Sequence, residues 1–307
     1  MSSPVLAVTL GDPRGIGAEL LQSSLPLLQA EAPGIRITLF GDARALDREW
    51  PAGVERCPVG RFDGSLGSAG RISADAIREG VSLATSVPGG ALVTAPVHKP
   101  ALHEAGVRHP GQTEFLQELT GADSVGMLMV ARTTRVGPLP LRILLATTHL
   151  PLRAVPDRIT TELLEAQIRL LHETLQERWG LSNPALGLCG LNPHASDGGL
   201  FGNEEAEIMS PLVKSLRAQG MDLRGPLPAD TVFLKAVEGE LEGVVSPTHD
   251  VGMAVFKTLA FGRGVNVTLG LPFLRTSPDH GTAFDLVGTG RAHQGSTLAA
   301  LRLAAGL

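Results

Sequence analysis

Three of the nine histidines in this chain close an apolar run: LRILLATTH ends at His149, LGLCGLNPH at His194 and LEGVVSPTH at His249. Imidazole nitrogens are good ligands for divalent ions, and in open parallel sheets ligands bind beyond the carboxyl ends of the strands. Three histidines in that setting could share one metal and leave a position open for substrate. Their separations of 45 and 55 residues match no local zinc motif, so separate packing roles stay open beside the metal reading. Other polar clusters recur in similar places: TAPVHKP, PGQTEF, NPHASDGG, GPLPADT and FGRGVN. Lys99, Lys257, Asn266 and Arg275 each lie in or beside such a Gly/Pro loop. That setting suits an anion, although a loop cation is also commonly a solvated surface group.

The elements that must position these groups alternate along the whole chain. Short apolar runs at Val5–Leu10, Arg36–Phe40, Ala91–Thr94, Leu141–Ala146, Leu186–Cys189, Gly243–Val245 and Val265–Leu269 predict strands. Amphipathic patterns between them predict helices, the clearest over Arg158–Arg178, with Ile159, Leu163, Ile168, Leu171 and Leu175 on one stripe. A second helix is expected from about Glu204 to Gln219, with Asn203 as N-cap and Gly220 just past its end. This alternation is the signature of an α/β chain with a largely parallel sheet. The least patterned stretch, Pro58 to Gly70, is expected to be a surface loop.

VTLGDPRGIGAEL, residues 8–20, joins the first predicted strand to a helix. It is no P-loop, because Ala18 follows Gly17 where a phosphate-reaching lysine is required, and the spacing of Gly11, Gly15 and Gly17 does not fit GxGxxG. A strand running into a glycine loop and then a helix with Glu19 in its first turn remains, as a tight turn or a ligand loop.

Composition excludes several function classes. With 307 residues the chain is long enough for two domains, and no run approaches the roughly 18 apolar residues of a membrane span. A net charge of −5 with 4% aromatic residues offers neither a basic field nor stacking platforms for nucleic acid. Only Cys57 and Cys189 occur, far apart, and MSSPVLAVTL lacks a basic leader, so a cytoplasmic protein without a disulfide framework is expected. The expected partner is a small molecule, with no nucleic acid and no membrane.

GDPRGIG, TAPVHK, GQTEF, TTHLPL, GLNPHASDGG, GPLPADT, THDVG and FGRGVNVTLGLPFLRTSPDHGTAFDL follow in order over nearly the whole chain. Together they resemble the 4-hydroxythreonine-4-phosphate dehydrogenase family of vitamin B6 synthesis. The resemblance implies an isocitrate/isopropylmalate dehydrogenase-like fold of two α/β/α domains with the active site in a cleft between them. Residues 1–108 plus 262–307 would form the NAD-side domain and 109–261 the metal and dimer side. It implies a homodimer whose active site is shared between subunits, with one divalent metal ion (zinc, magnesium or cobalt) on His149, His194 and His249. Substrate-binding positions fall on Thr113, Lys257, Asn266 and Arg275, with Gln112 where the family has histidine. TSPDHGTAFDL resembles the adenosine-holding loop of isopropylmalate dehydrogenases, which points to His280, Gly281, Thr282 and Asp285 for NAD.

The implied reaction is metal-assisted, NAD-linked oxidation and decarboxylation of 4-hydroxythreonine 4-phosphate. Asp250 and Lys99 are candidates for the base, and Asp250 could equally orient an imidazole. Gln112, and THDVG in place of the usual YHDQG, keep a related phosphorylated sugar acid, D-threonate or D-erythronate 4-phosphate, open as the substrate. A non-catalytic metabolite-binding homologue is the reading from another class.

Overall fold

The computed structural model describes residues 5–307; the first four residues of MSSPVLAVTL, on which the expectation about a leader partly rests, lie outside them. The first half of the chain runs β1 (Val5–Thr9), α1 (Gly17–Glu31), β2 (Arg36–Asp42), α2 (Ala43–Leu46), β3 (Val54–Gly60), α3 (Leu66–Ser86), β4 (Ala91–Thr94), α4 (Lys99–Glu104), α5 (Gln112–Thr120), β5 (Gly126–Ala131) and β6 (Leu141–Leu145). The second half continues α6 (Thr161–Trp179), β7 (Leu186–Cys189), α7 (Ser210–Ala218), β8 (Leu223–Leu227), α8 (Ala229–Val237), β9 (Gly243–Ser246), α9 (His249–Ala260), β10 (Val265–Leu269), β11 (Leu274–Pro278) and α10 (Gly295–Ala304).

Contacts divide the chain into two units, one comprising the chain through Val125 together with Val265–Leu307, the other Gly126–Gly264. In the first unit the strand order is β3-β2-β1-β4-β11-β10, parallel except where β10 meets β11. In the second it is β5-β6-β9-β7-β8, with β5 antiparallel to β6 and the other pairs parallel. β1 is buried at every position, as expected of a parallel strand covered on both faces. Residues 109–125, expected with the second domain, instead cluster with the first unit. Phe115 and Leu116 of α5 are buried in one core with Ala7, Ile77, Leu92 and Phe273, and that apolar burial ties the helix to β1 and β4.

All seven expected strands form. The four that the pattern did not mark are β3, β5, β8 and β11. β3 (VERCPVG) is a partly exposed edge strand with charges along it, β8 contains Gly225-Pro226, and β11 carries an arginine and a terminal proline. These three lack the apolar run that marks a central strand, whereas β5 (GMLMVA) carries one that went unmarked. The loop expected over Pro58–Gly70 is corrected at both ends: Pro58–Gly60 finish β3, and Leu66–Gly70 open α3, whose N-cap Ser65 accepts from Ser68 N. The expected helix from Arg158 starts at Thr161, because Thr160 caps it by accepting from Leu163 N at 3.2 Å and Pro156–Arg158 form a separate short turn. The expected helix from Glu204 opens as a wide turn over Glu205–Met209 before α7. Among the described residues no helix is long and apolar enough to cross a membrane.

Candidate functional site

Strand register brings two of the three histidines together. β6 and β9 are parallel neighbours, with Leu145 opposite Ser246, and both chains leave the sheet in the same direction. Beyond the sheet the two segments stay linked: Ala146 N donates to Ser246 O at 2.9 Å and Thr147 Oγ1 to Pro247 O at 2.5 Å. His149 and His249 follow within four residues, and their ring centroids are 5.5 Å apart. His249 Nδ1 lies 2.8 Å from Asp250 Oδ1; a proton on Nδ1 donated to the carboxylate leaves Nε2 with the open lone pair. The Asp250 side chain is 88% exposed.

His194 is elsewhere. It follows β7, but His194, Ala195, Ser196 and Asp197 all have positive φ, and Gly198 continues the run, giving a left-handed turn that L-residues enter only at a cost. The turn is held from behind. Buried Glu205 accepts from Leu191 N at 2.8 Å and Asn192 N at 2.7 Å. Its outcome is an exposed His194 whose Nδ1 lies 3.8 Å from Asp230 Oδ2 of α8. Among the described residues no group of three His, Cys, Asp or Glu side chains lies together as a metal site. Within one chain the expected three-histidine cluster is thus a pair plus a distant third. Cys189, just before this turn, has its thiol pushed up to about 12 by burial, which leaves it an inert core residue.

The first unit holds an unusual cation. Arg275 on β11 is 2% exposed and, among the described residues, has no carboxylate partner; Nε and Nη2 donate to Thr94 Oγ1 at 3.1 and 2.7 Å, and Nη1 to Thr268 Oγ1 at 2.9 Å. Its remaining partner is Gln112 Oε1, 3.3 Å from Nη2. Burial alone pushes its pKa down to about 10, so the guanidinium stays charged at neutral pH with only neutral oxygens around it. Gln112 and Thr113 open α5, whose N-cap Gly111 supplies no side-chain cap. The Lys99 stem passes beside that same turn, with Cε 3.9 Å from where a Gly111 Cβ would stand. Asn266, on β10, keeps a buried Oδ1 without a hydrogen-bond partner. Lys257 belongs to α9 in the second unit, with Nζ 5.7 Å from the centroid of the Phe261 ring.

The glycine-rich stretch after β1 is joined to the segment proposed for adenosine. Ile16 N donates to Thr282 O at 3.1 Å, and Gly288 N to Glu19 Oε2 at 2.9 Å. Gly15 has no room for a side chain, since a Cβ would stand 3.0 Å from Thr282 O. His280 is steadied by Gly281 O at 2.9 Å and Thr297 Oγ1 at 3.4 Å, and Asp285 is exposed. The sequence reading passed over Arg14. Its guanidinium is held by buried Asp12 at 2.9 and 2.7 Å, touches His98 Nδ1 at 3.3 Å, and lies 5.0 Å from the centroid of the Phe284 ring. The DPR spacing, an acid two residues before an arginine in a glycine loop, was the available signal.

Two α/β units with most strands parallel, one of them completed by a late-returning stretch of chain, make a mixed α/β fold of the isocitrate/isopropylmalate dehydrogenase type. The structure superposes on isocitrate dehydrogenase from Methylococcus capsulatus with a TM-score of 0.56 at 14% identity, over 98% of this chain and 84% of that one, a likeness of fold alone. A closer assignment follows from the family model for pyridoxal phosphate biosynthetic protein PdxA, which matches residues 42–304: the chain belongs to the PdxA family. A relative described as 4-hydroxythreonine-4-phosphate dehydrogenase, from Aromatoleum aromaticum, is 44% identical over 99% of this chain and 96% of its own length. A crystal structure of a 4-hydroxythreonine-4-phosphate dehydrogenase from Klebsiella pneumoniae matches with a TM-score of 0.83 at 32% identity, covering both chains completely.

Proposed function

We propose that this chain is a nicotinamide-dependent dehydrogenase that oxidises and decarboxylates 4-hydroxythreonine 4-phosphate to 3-amino-2-oxopropyl phosphate in the synthesis of pyridoxal phosphate. The observation that carries this reading beyond family membership is Arg275: a buried guanidinium surrounded by neutral oxygens is a site waiting for an anion. Lys257, Asn266 and Arg275 are assigned to the anionic groups of the substrate, with Thr113 and Gln112 orienting it.

The carbon bearing the substrate's secondary hydroxyl, β to its carboxylate, would give hydride to bound NAD while the hydroxyl gives its proton to a base. The resulting β-keto acid then releases carbon dioxide, and the enolate left behind takes up a proton. Lys99 beside Gly111 and Asp250 beside His249 are the candidate proton acceptors, with Asp250 better placed to orient the imidazole. His280, Gly281, Thr282 and Asp285 are assigned to the adenosine half of NAD.

His149 and His249 fit a divalent ion as two neutral nitrogen ligands, and His194 of a second copy of the chain would complete the set. Zinc, magnesium or cobalt in that position supplies Lewis acidity, which lowers the pKa of an alcohol and stabilises oxyanion charge. A homodimer is further supported by apolar side chains left exposed beside two of these histidines: Leu150 and Leu152 at 38% and 70%, Leu200 and Phe201 at 76% and 50%. Close by Asp230, a groove of about 650 Å³ between α8 and α9 is lined by Phe233, Leu234, Val255 and Leu259. A cytoplasmic, small-molecule enzyme is consistent with two unpaired cysteines.

The test is nicotinamide absorbance with 4-hydroxythreonine 4-phosphate, D-threonate 4-phosphate and D-erythronate 4-phosphate, each with NAD and a divalent metal. Reduction of NAD is expected with the first. Turnover of only a sugar-acid phosphate transfers the reading to that substrate, and turnover of none leaves a binding protein.

A further inference from the structure

Gln112 is the point at which the anion site meets solvent. Arg275 behind it is 2% exposed, whereas Gln112, the first residue of α5, is only partly covered. The two side chains touch through Nη2 of Arg275 and Oε1 of Gln112 at 3.3 Å. Which end of the carboxamide faces inward is settled by chemistry: a guanidinium can only donate, so its partner must be the carbonyl oxygen. Thr94 and Thr268 occupy the other sides of the guanidinium and hold it in this orientation. Nε2 of Gln112 then points away from Arg275, and among the described residues it has no hydrogen-bond partner.

We propose that Gln112 is a specificity-determining residue of the anion subsite, fixed by Arg275 so that it offers a ligand two N–H donors and no acceptor. The inference rests on the substrate reading above only for the identity of the anion. Its oxygen is committed to a cation, which polarises the amide and strengthens the outward N–H groups as donors. A phosphate or carboxylate oxygen can accept from both Nε2 and the neighbouring N-terminus of α5. An ammonium, which can only donate, meets only donors and is rejected. The glutamine thereby adds, at the outer edge of the subsite, two donors strengthened by the charge of Arg275.

Two substitutions separate this role from simple support of Arg275. Gln112→Glu is a stronger acceptor for the guanidinium, so a supporting role would be kept or improved, but it replaces the outward donors with a second carboxylate oxygen. Gln112→Met removes both functions at similar volume. For 4-hydroxythreonine 4-phosphate the expected result is a KM raised at least 100-fold by Gln112→Glu and about tenfold by Gln112→Met, with kcat within about threefold of the parent. A KM for Gln112→Glu equal to or below the parent value overturns the proposal. Inorganic phosphate and acetate as competitive inhibitors identify the anion, because only the one that faces Gln112 should lose its inhibition in Gln112→Glu. If the parent protein turns over none of this substrate, the substrate reading fails by itself. Calorimetric titration with phosphate then decides the Gln112 proposal: weaker binding to Gln112→Glu supports it, and equal binding overturns it.

Discussion

At the scale of single residues, some functional groups are held by partners far away in sequence, as Arg275 is by Thr94 and Gln112, and others by near neighbours, as Arg14 is by Asp12. Asp285 illustrates how this decides cofactor choice. It is exposed in the segment tied to the glycine loop through Thr282, and Arg14, 5.0 Å from the centroid of the Phe284 ring next door, is already paired with Asp12. In the proposed cofactor site the Asp285 carboxylate would accept from ribose hydroxyls and repel a 2′-phosphate. NAD should exceed NADP in kcat/KM by at least about tenfold, and Asp285→Ser should shrink that ratio by about the same factor. Steady-state rates with both cofactors check this, and equal efficiency in the parent protein would remove Asp285 from the cofactor site.

At the scale of elements, the candidate residues depend on where helices begin. α4 carries Lys99 and packs against α3 so closely that a Cβ on Gly70 would stand 1.8 Å from Ala101 O and 2.5 Å from Ala101 C. Gly70→Ala must push the two helices apart, at a cost of about 2–3 kcal/mol, and should lower the melting temperature while raising KM through displacement of Lys99. A melt and a KM measurement on the same sample test both effects. The start of α3 supplies a pH dependence. Asp63 accepts from Ser65 N at 2.8 Å and from Ser68 Oγ at 2.6 Å, which holds its carboxyl below the usual carboxylate range. A lowered folded-state pKa stabilises above the ordinary value of 3.8 and loses that contribution as pH falls through the folded value. The melting-temperature gap between the parent and Asp63→Asn is therefore expected in full at neutral pH and should close progressively below about pH 4. A gap that widens on acidification would show that another group governs this end of α3.

At the scale of the whole molecule, the separation of His194 from the His149–His249 pair is the feature with most consequence. If a second copy supplies the third ligand, one chain of a mixed dimer can repair the other. His149→Ala and His194→Ala variants, each inactive alone, should regain about one quarter of parental activity after mixing, because half of the dimers are mixed and each has one intact site. His149→Ala mixed with His249→Ala should regain none, since both losses fall on the same pair. Recovery in the second mixture, or its absence in the first, would rule out this division of ligands.

Much of the architecture was legible in local signals. Strand and helix alternation, the apolar stripe of the helix that ends near Arg178, and histidines at the ends of apolar runs follow from side-chain periodicity, which acts over a few residues. The ordered motifs carried the family. Edge strands such as β3 and β8 were not legible, because partial exposure removes the apolar run by which central strands are recognised. Three further matters were decided only by tertiary structure. His149 meets His249 because β6 happens to pair with β9 across about 100 residues of chain, a choice made by packing rather than by either segment. His194 is turned away by a left-handed run that Glu205 stabilises from another element. The amide of Gln112 acquires a direction only because Arg275, 163 residues later, can donate and cannot accept.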